Sequence, residues 1–272
     1  GQSIYFDVSD GRMIFAIPRE GKTYIGTTDT NYRGDKVHPK VTLEDVDYLL
    51  KAVNDMFPSI SLQSQDVESS WAGLRPLIHE EGKDPSESSR GDEVFLSDSG
   101  LITIAGGKLT GYRLMAKKVM RLICDSKGIT RKCRTRRTRL AGGFKKPKEL
   151  PIYLKEVQRK LQAANLDVSK AFYLVHRYGK QTDQILSIYK EQHFTHLVQA
   201  EACFTIQHEG VVCLEDFFAR RTSKLLFDIS HMMEETEQVM PVFEELLHWD
   251  ELRCTEEHEK MRKFVEEVTK FD

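Results

Sequence analysis

The residues best suited to chemistry form a glycine-rich turn, Gly106-Gly107-Lys108-Leu109-Thr110. An apolar strand is predicted before this turn, and a helix is predicted to begin near Thr110. Glycine has no Cβ, so two adjacent glycines let a planar or anionic ligand approach the main chain closely. The unpaired N–H groups of the following helix and its positive dipole end attract electron-rich atoms, and Lys108 adds a full charge. We therefore expect an electron-rich group to bind here.

Arginine supplies the second kind of candidate. Arg75 lies among apolar residues in a predicted strand, Val67–Leu77. A guanidinium group in such surroundings needs an anionic partner, and its geometry suits bidentate binding of phosphate or carboxylate. An internal salt bridge is the alternative interpretation. Arg90 lies in a polar loop, where a ligand contact competes with simple solvation.

The sequence lacks the motifs of several common catalytic and binding sites. His193 and His196 stand three positions apart without an evident third ligand, so a surface pair is favoured over a metal site and no metal is expected. The sequence contains no G-x-G-x-x-G, no P-loop, no G-x-S-x-G and no H-E-x-x-H. It therefore carries no dinucleotide-binding fingerprint of its own.

Composition narrows the class of protein further. The 272 residues are 40% apolar and 30% charged, with a formal net charge of −2, so nothing global indicates a nucleic-acid partner. No apolar run is long enough to span a membrane. The five cysteines form no C-x-x-C pair, which favours reduced thiols in a cytosolic compartment over disulfides.

The elements that must position the glycine turn and the arginines are predicted to form an α+β fold. Alternation and turn residues predict a three-stranded meander at 3–8, 12–17 and 23–28. A capped amphipathic helix follows from Thr42 to about Phe57. After the strand Val67–Leu77, we expect a hairpin of 93–96 with 101–105 and a helix from Leu109 to about Asp125. The sheet is therefore mainly antiparallel with covering helices.

The composition changes at residues 128–148, which are rich in Lys and Arg and contain no acid. We interpret this stretch as a linker between residues 1–127 and 149–272; it either stays solvated or contacts an anionic lipid or acidic surface. Residues 149–272 show only helical patterns, which predicts an all-α C-terminal domain. The predicted helices are Ile152–Leu166, Ser169–Tyr178, Thr182–Tyr189, His196–Glu209, Leu214–Arg221, Val239–Leu247 and Asp250–Phe271.

Three stretches, residues 13–30, 68–87 and 99–115, together resemble the FAD-dependent, membrane-associated aerobic glycerol-3-phosphate dehydrogenases of the Bacillus-like bacterial type. A fourth stretch, Asp216–Thr222, is similar to one in the family's helical C-terminal domain, although its two arginines favour a structural role. The resemblance implies part of a D-amino-acid-oxidase-like fold: a substrate-binding sheet, the last strand and helix of the FAD domain, and the C-terminal domain.

The resemblance also implies an activity. Family members oxidise sn-glycerol 3-phosphate to dihydroxyacetone phosphate, with hydride transfer to FAD and electron transfer to a membrane quinone. It implies a cytoplasmic protein in peripheral contact with the inner face of the cell membrane, and it leaves homodimerisation open. Two alternatives remain: a glycerophosphate oxidase that reduces oxygen, and a non-catalytic helical module that binds a protein partner.

Carried onto this sequence, the resemblance assigns Arg75 and Arg90 to the substrate phosphate and the C2 oxygen. It assigns Gly106, Gly107, Lys108, Leu109 and Thr110 to the pyrimidine edge of the flavin, with Arg75 and Lys108 as catalytic residues. The family's dinucleotide-binding segment and its active-site histidine have no match here. We therefore expect the chain to be the C-terminal portion of the enzyme and, alone, to bind FAD weakly and to be inactive.

Overall fold

A computed structural model describes residues 1–28, 30–75 and 91–271. The chain divides into two compact units. Of the described residues, the first unit contains 1–28, 40–72 and 139–271, and the second contains 30–39, 73–75 and 91–138. Antiparallel sheets precede an all-helical C-terminal part, so the predicted α+β fold is confirmed.

The predicted meander is a three-stranded antiparallel sheet of β1 (Ile4–Asp7), β2 (Met13–Arg19) and β3 (Lys22–Gly26), in the order β1-β2-β3. The turn between β2 and β3 has two residues, Glu20 and Gly21, with φ values of 51° and 82°. Two positive φ angles are typical of the tight turns that match the twist of a hairpin. The turn thus fixes the register in which Arg19 opposes Lys22.

Helix α1 (Leu43–Met56) covers this sheet. Its N-terminus is closed by a capping box, in which Thr42 accepts from the N–H of Asp45 and Asp45 accepts from the N–H of Thr42. The buried side chains of the sheet and of the helix form one apolar cluster: Phe6, Ile14, Ala52 and Val53. The capping pattern and the apolar spacing therefore predicted this helix correctly.

The predicted strand Val67–Leu77 is wrong where the structure describes it. Residues 67–75 form neither strand nor helix. No neighbouring strand within the described residues pairs with this segment, so its alternating pattern has no ladder to join. Side-chain contacts of Glu68 and Trp71 hold the first part of this segment instead.

The second unit contains the predicted hairpin and helix. Strands β4 (Asp92–Leu96) and β5 (Ile102–Gly106) pair antiparallel, and helix α2 (Tyr112–Ser126) follows after a short 3₁₀ turn. None of the described residues of this unit is fully buried. Its large apolar side chains, such as Leu96 and Leu109, are exposed to solvent.

Between Ser126 and Glu149 the chain forms no helix or strand, and residues 128–141 are exposed. Hydrogen bonding to Thr135, together with the nearby cations Lys117 and Arg113, lowers the pKa of the exposed Cys133 thiol. The division of the chain by a linker at 128–148 stays a prediction.

Each predicted C-terminal helix corresponds to helical structure. The structure differs from the prediction in the helix type at Asp216–Arg221 and in the start of α8 (Ile229–Leu247). The helices are α3 (Glu149–Ala163), α4 (Lys170–Tyr178), α5 (Thr182–Glu191), α6 (Leu197–Glu209), α7 (Lys224–Phe227), α8 (Ile229–Leu247) and α9 (Glu251–Thr269). The stretch Asp216–Arg221 is π-helical, because Thr222 N–H donates to the carbonyl of Phe217, five residues back. Helix α8 starts well before the predicted Val239, since polar Thr236 continues its buried stripe.

The core of the helical part surrounds α6, which is buried on nearly every side. The largest fully buried side chains of this core are phenylalanines: Phe204, Phe217, Phe218 and Phe243. Among the described residues, no helix is both long and apolar enough to cross a membrane.

Candidate functional site

The glycine turn begins where β5 ends. Gly106 and Gly107 both adopt positive φ angles, 71° and 77°, which glycine reaches without strain. The N–H of Gly107 donates to the carbonyl of Gly91 at 2.9 Å, which closes the turn across the hairpin. A Cβ on Gly107 would stand 2.8 Å from Met115 Sδ, so a larger residue at this position requires the Met115 side chain to move.

The helix that follows the turn has no side-chain cap at its N-terminus. Lys108 has extended backbone, Leu109–Gly111 forms a 3₁₀ turn, and α2 begins at Tyr112. No side chain caps either N-terminus within the described structure, and α2 has no acid in its first turn. Helix α1, in contrast, carries a full capping box. The N–H groups of Gly111 and Tyr112 already donate to the carbonyls of Lys108 and Leu109, so the main-chain donors that can meet an anionic or electron-rich group are those of residues 108–110.

Lys108 is the charged residue within the glycine turn itself. Lys108 is exposed, and within the described residues it makes no ion pair. The acid beside the turn, Asp92, is paired with Lys118 of α2 at 2.5 Å. Leu109 is 90% exposed, and Thr110 is exposed as well. Among the predicted cofactor-binding residues, Lys108, Leu109 and Thr110 are thus exposed, whereas Gly106 and Gly107 are half-buried.

Arg75 belongs to the same compact unit as the turn. The apolar sequence around it suggested burial, but the arginine is exposed, since the segment that carries it lies outside any sheet. Arg90, the second predicted phosphate ligand, lies outside the described residues.

Sequence reasoning missed the contacts that hold the residues before Arg75. Glu68 pairs with Lys22 of β3, with 2.6 Å between Nζ and Oε1. The Trp71 ring lies 5.9 Å from Tyr24 of β3, centroid to centroid, and 5.7 Å from Phe227 of α7. No local pattern in the sequence could have indicated a contact between Trp71 and a helix so distant along the chain.

The Asp216–Thr222 stretch is structural. Phe217 and Phe218 are fully buried, and Arg220 pairs with Asp216 at 2.9 Å on its own turn. Arg221 donates to the carbonyl of Glu209 at the end of α6. These contacts hold the π-helical segment against α6, as the favoured interpretation of the sequence expected.

The histidines and acids do not gather into a metal site in the part of the chain that the structure describes. His193 and His196 are both exposed. Neither takes part in a group of three possible ligands among the described residues.

Two family models match the chain. The model described as FAD dependent oxidoreductase matches residues 2–113, and the model described as the C-terminal domain of alpha-glycerophosphate oxidase matches residues 133–254. The antiparallel sheets with the open glycine turn, followed by the helical part, therefore define a class: FAD-dependent oxidoreductases with a C-terminal domain of the glycerophosphate oxidase type.

Particular relatives narrow the class. Aerobic glycerol-3-phosphate dehydrogenase of Bacillus subtilis (strain 168) is 43% identical over 98% of this chain and 50% of its own length. The enzyme of the same name from Staphylococcus saprophyticus is 44% identical over 91% of this chain and 46% of its own length. The chain belongs to the aerobic, FAD-dependent glycerol-3-phosphate dehydrogenase family, and it spans about half the length of the curated relatives it matches.

A solved structure agrees with this assignment. The X-ray structure of the glycerol-3-phosphate dehydrogenase from Bacillus halodurans, complexed with FAD, superposes with a TM-score of 0.88. The two sequences are 41% identical, and the match covers 99% of this chain and 54% of the other. The likeness therefore extends to fold as well as to sequence.

Proposed function

We propose that the protein oxidises sn-glycerol 3-phosphate to dihydroxyacetone phosphate with FAD. The observation that carries the proposal is the open N-terminus of α2 behind two glycines of positive φ. The glycine turn therefore combines main-chain N–H groups, the positive end of a helix dipole and a backbone without Cβ atoms. The relatives whose names state this activity match nearly the whole chain.

The residues of the turn fit the electron-rich edge of a flavin. Gly106 and Gly107 allow close approach of a flat ring, and no side chain caps the N–H groups that follow. When bound, FAD supplies the two-electron acceptor. The cation Lys108 and the dipole of α2 stabilise negative charge at the edge of the ring, which raises the flavin's affinity for electrons.

Arg75 and Arg90 bind the substrate in this proposal. The phosphate of glycerol 3-phosphate is dianionic, and two guanidinium groups suit its geometry. One of the two also holds the oxygen at C2, where hydrogen is removed. Exposure of Arg75 within the unit that carries the glycine turn supports its assignment.

We place the electron acceptor among the membrane quinones and the protein at the inner face of the cell membrane, in peripheral contact with it. The resemblance to membrane-associated dehydrogenases supports this. One observation favours a second candidate, an oxidase that passes electrons to oxygen: the family model for residues 133–254 is described from alpha-glycerophosphate oxidase.

We assign the activity to a protein of the relatives' full length, because this chain spans about half of that length. The 272-residue chain alone is expected to bind FAD weakly and not to turn over. Its purification with stoichiometric flavin would contradict this part of the proposal.

The experiment is an assay of the full-length holoenzyme with glycerol 3-phosphate and a soluble quinone analogue. Substrate-dependent quinone reduction with little oxygen uptake is the expected result. Rapid oxygen uptake with peroxide formation, in the absence of quinone, would show the oxidase instead. Absence of turnover with either acceptor would overturn the proposal.

A further inference from the structure

Residues 127–138, which we call the basic segment, follow directly after α2 within the second compact unit. Gly128 ends the helix with a positive φ of 62°, and the N–H of Ile129 donates to the carbonyl of Cys124 at 2.8 Å. All residues of the segment are exposed to solvent. The segment is therefore an accessible surface whose beginning is fixed against a helix.

The basic segment combines a high positive charge with an absence of acids. Its cations are Lys127, Arg131, Lys132, Arg134, Arg136 and Arg137. The N–H of Arg137 donates to the carbonyl of Arg134 at 2.9 Å, and the resulting turn brings these two arginines and Arg136 close together. None of the six cations forms an ion pair within the described residues. Like charges at short separation repel, so an external anionic surface lowers the energy of the segment.

Helix α2 extends this positive charge, because Arg113, Lys117 and Arg121 stand four positions apart and lie on one face of the helix. Hydrogen bonding to Thr135 is the main cause of the lowered pKa of the Cys133 thiol. The charges of Lys117 and Arg113 lower that pKa further, so both cations lie near the middle of the basic segment. None of the three helix cations pairs with an acid of the described chain. We call this helix face and the basic segment together the basic surface.

The composition of the basic surface favours anionic lipid over other polyanions. The basic segment has no aromatic side chain on which a nucleic-acid base could stack. Ile129 is instead 44% exposed beside the cations. Clustered cations next to an exposed aliphatic side chain suit a bilayer, where anionic headgroups lie above hydrocarbon.

We propose that the basic surface docks the protein on anionic phospholipid headgroups. The inference rests on the proposed function, which places the enzyme in peripheral contact with the cell membrane, and it names the surface that makes this contact. Each cation near an anionic bilayer raises the affinity roughly fivefold, and added salt screens the attraction. The glycine turn is not part of the basic surface, so turnover in solution and docking are separate properties.

The first test is sedimentation of the full-length holoenzyme with phosphatidylcholine vesicles that contain about 30% phosphatidylglycerol. The wild type should bind these vesicles at least about tenfold more tightly than vesicles of pure phosphatidylcholine, and high salt should remove the difference. Equal binding to both kinds of vesicle would overturn the inference.

The combined variant Arg131→Gln, Arg136→Gln and Arg137→Gln removes three charges from the basic segment. It should weaken binding to the anionic vesicles about 100-fold, because three factors of roughly five multiply. The single variant Arg136→Gln, with an expected loss of about fivefold, keeps the test available if the combined variant does not fold. An unchanged affinity in each of these variants that folds would overturn the inference.

The matched control removes the same charge from exposed residues of the helical part: Lys155→Gln, Arg159→Gln and Arg262→Gln. These three side chains form no ion pair within the described residues. The control should bind the anionic vesicles within about twofold of the wild type, since its charges lie outside the basic surface. An equal loss in both triple variants would show that net charge alone governs binding, and it would overturn the inference.

Turnover with glycerol 3-phosphate and the soluble quinone analogue separates this inference from the proposed function. A wild type that turns over but does not prefer anionic vesicles overturns the docking surface alone. A wild type that binds through the basic surface without turnover overturns the proposed activity alone. Tighter binding to a DNA duplex than to the vesicles, lost in the combined variant, would assign the surface to nucleic acid and overturn the inference.

Discussion

The Sδ atom of Met115 occupies the space that a side chain on Gly107 would need. A Cβ built on Gly107 would lie 2.8 Å from Sδ and 3.2 Å from the Cβ of Asp92. Met115 is in the first turns of α2, so the bare glycine lets the start of this helix pack directly against the end of β5.

Gly107→Ala is therefore expected to lower the FAD content of the purified full-length enzyme. The substitution places a methyl group against Met115 and strains a backbone with a φ of 77°. The backbone strain alone costs about 1–2 kcal/mol. Flavin absorbance relative to protein absorbance measures the outcome.

The matched control is Gly100→Ala in the turn between β4 and β5. Its φ is 82°, close to that of Gly107, but nothing lies within 4 Å of the added Cβ. Backbone strain is thus present without crowding. Equal FAD contents in the two variants would show that crowding by Met115 does not matter.

Lys108→Met is expected to lower the reduction potential of the bound flavin. The substitution removes a positive charge from the turn while keeping a side chain of similar length. For an exposed charge we expect an effect of about 1 kcal/mol, which corresponds to about 20 mV for a two-electron couple. Redox titration of the holoenzyme measures it.

Lys132→Met provides the comparison for Lys108. Lys132 is an exposed lysine of the basic stretch beyond α2, and it has no part in the proposed site. Its replacement should leave the potential unchanged. A shift of the same size in both variants would mean that net charge, and not the position of Lys108, sets the potential.

Local sequence patterns were sufficient where a few adjacent residues determine the structure. The turn at Glu20 and Gly21 and the capping box of Thr42 and Asp45 each act within four positions. Both features could therefore be predicted correctly from the residues alone. The glycine turn belongs to the same group, since its residues are contiguous.

Residues 67–75, predicted as a strand, show why other features could not be predicted. The alternation of Val67–Leu77 is typical of a strand, but a strand also needs a neighbour, and pairing is a long-range property. The contact of Ser69 with Leu226 joins residues 157 positions apart. Helix α7 was missed for a similar reason, because four residues are too few to show a helical period.

Arg75→Ala is expected to reduce kcat/KM for glycerol 3-phosphate by about 30-fold to 1,000-fold. This range corresponds to about 2–4 kcal/mol for a guanidinium group that holds a phosphate dianion. Steady-state kinetics of the full-length enzyme measure it. Arg134→Ala, at an exposed arginine beyond α2, serves as the control and should leave kcat/KM within about twofold. Equal effects of the two variants would contradict a role for Arg75 in binding.

Asp10 gives a prediction for stability at low pH. Its carboxylate accepts from Arg12 Nε at 2.8 Å, from the Arg12 N–H at 3.0 Å and from the Tyr48 hydroxyl at 3.1 Å. These hydrogen bonds, those of Arg12 first, lower the pKa of Asp10 from 3.8 to about 2. The network joins the turn between β1 and β2 to α1, so the charged form of Asp10 stabilises the folded state.

A lowered carboxyl pKa stabilises the protein wherever the unfolded chain would also be ionised. The advantage of the wild type over Asp10→Asn should therefore be complete above about pH 4 and should vanish as the pH falls toward about 2. Urea midpoints at pH 6, 4 and 3 test this. The control, Asp55→Asn, breaks an exposed pair with Lys51 and should change the midpoint little at any pH. If the difference between wild type and Asp10→Asn were constant down to pH 3, the hydrogen bonds of Asp10 would not depend on its charge, and the network would stabilise the turn through its neutral contacts alone.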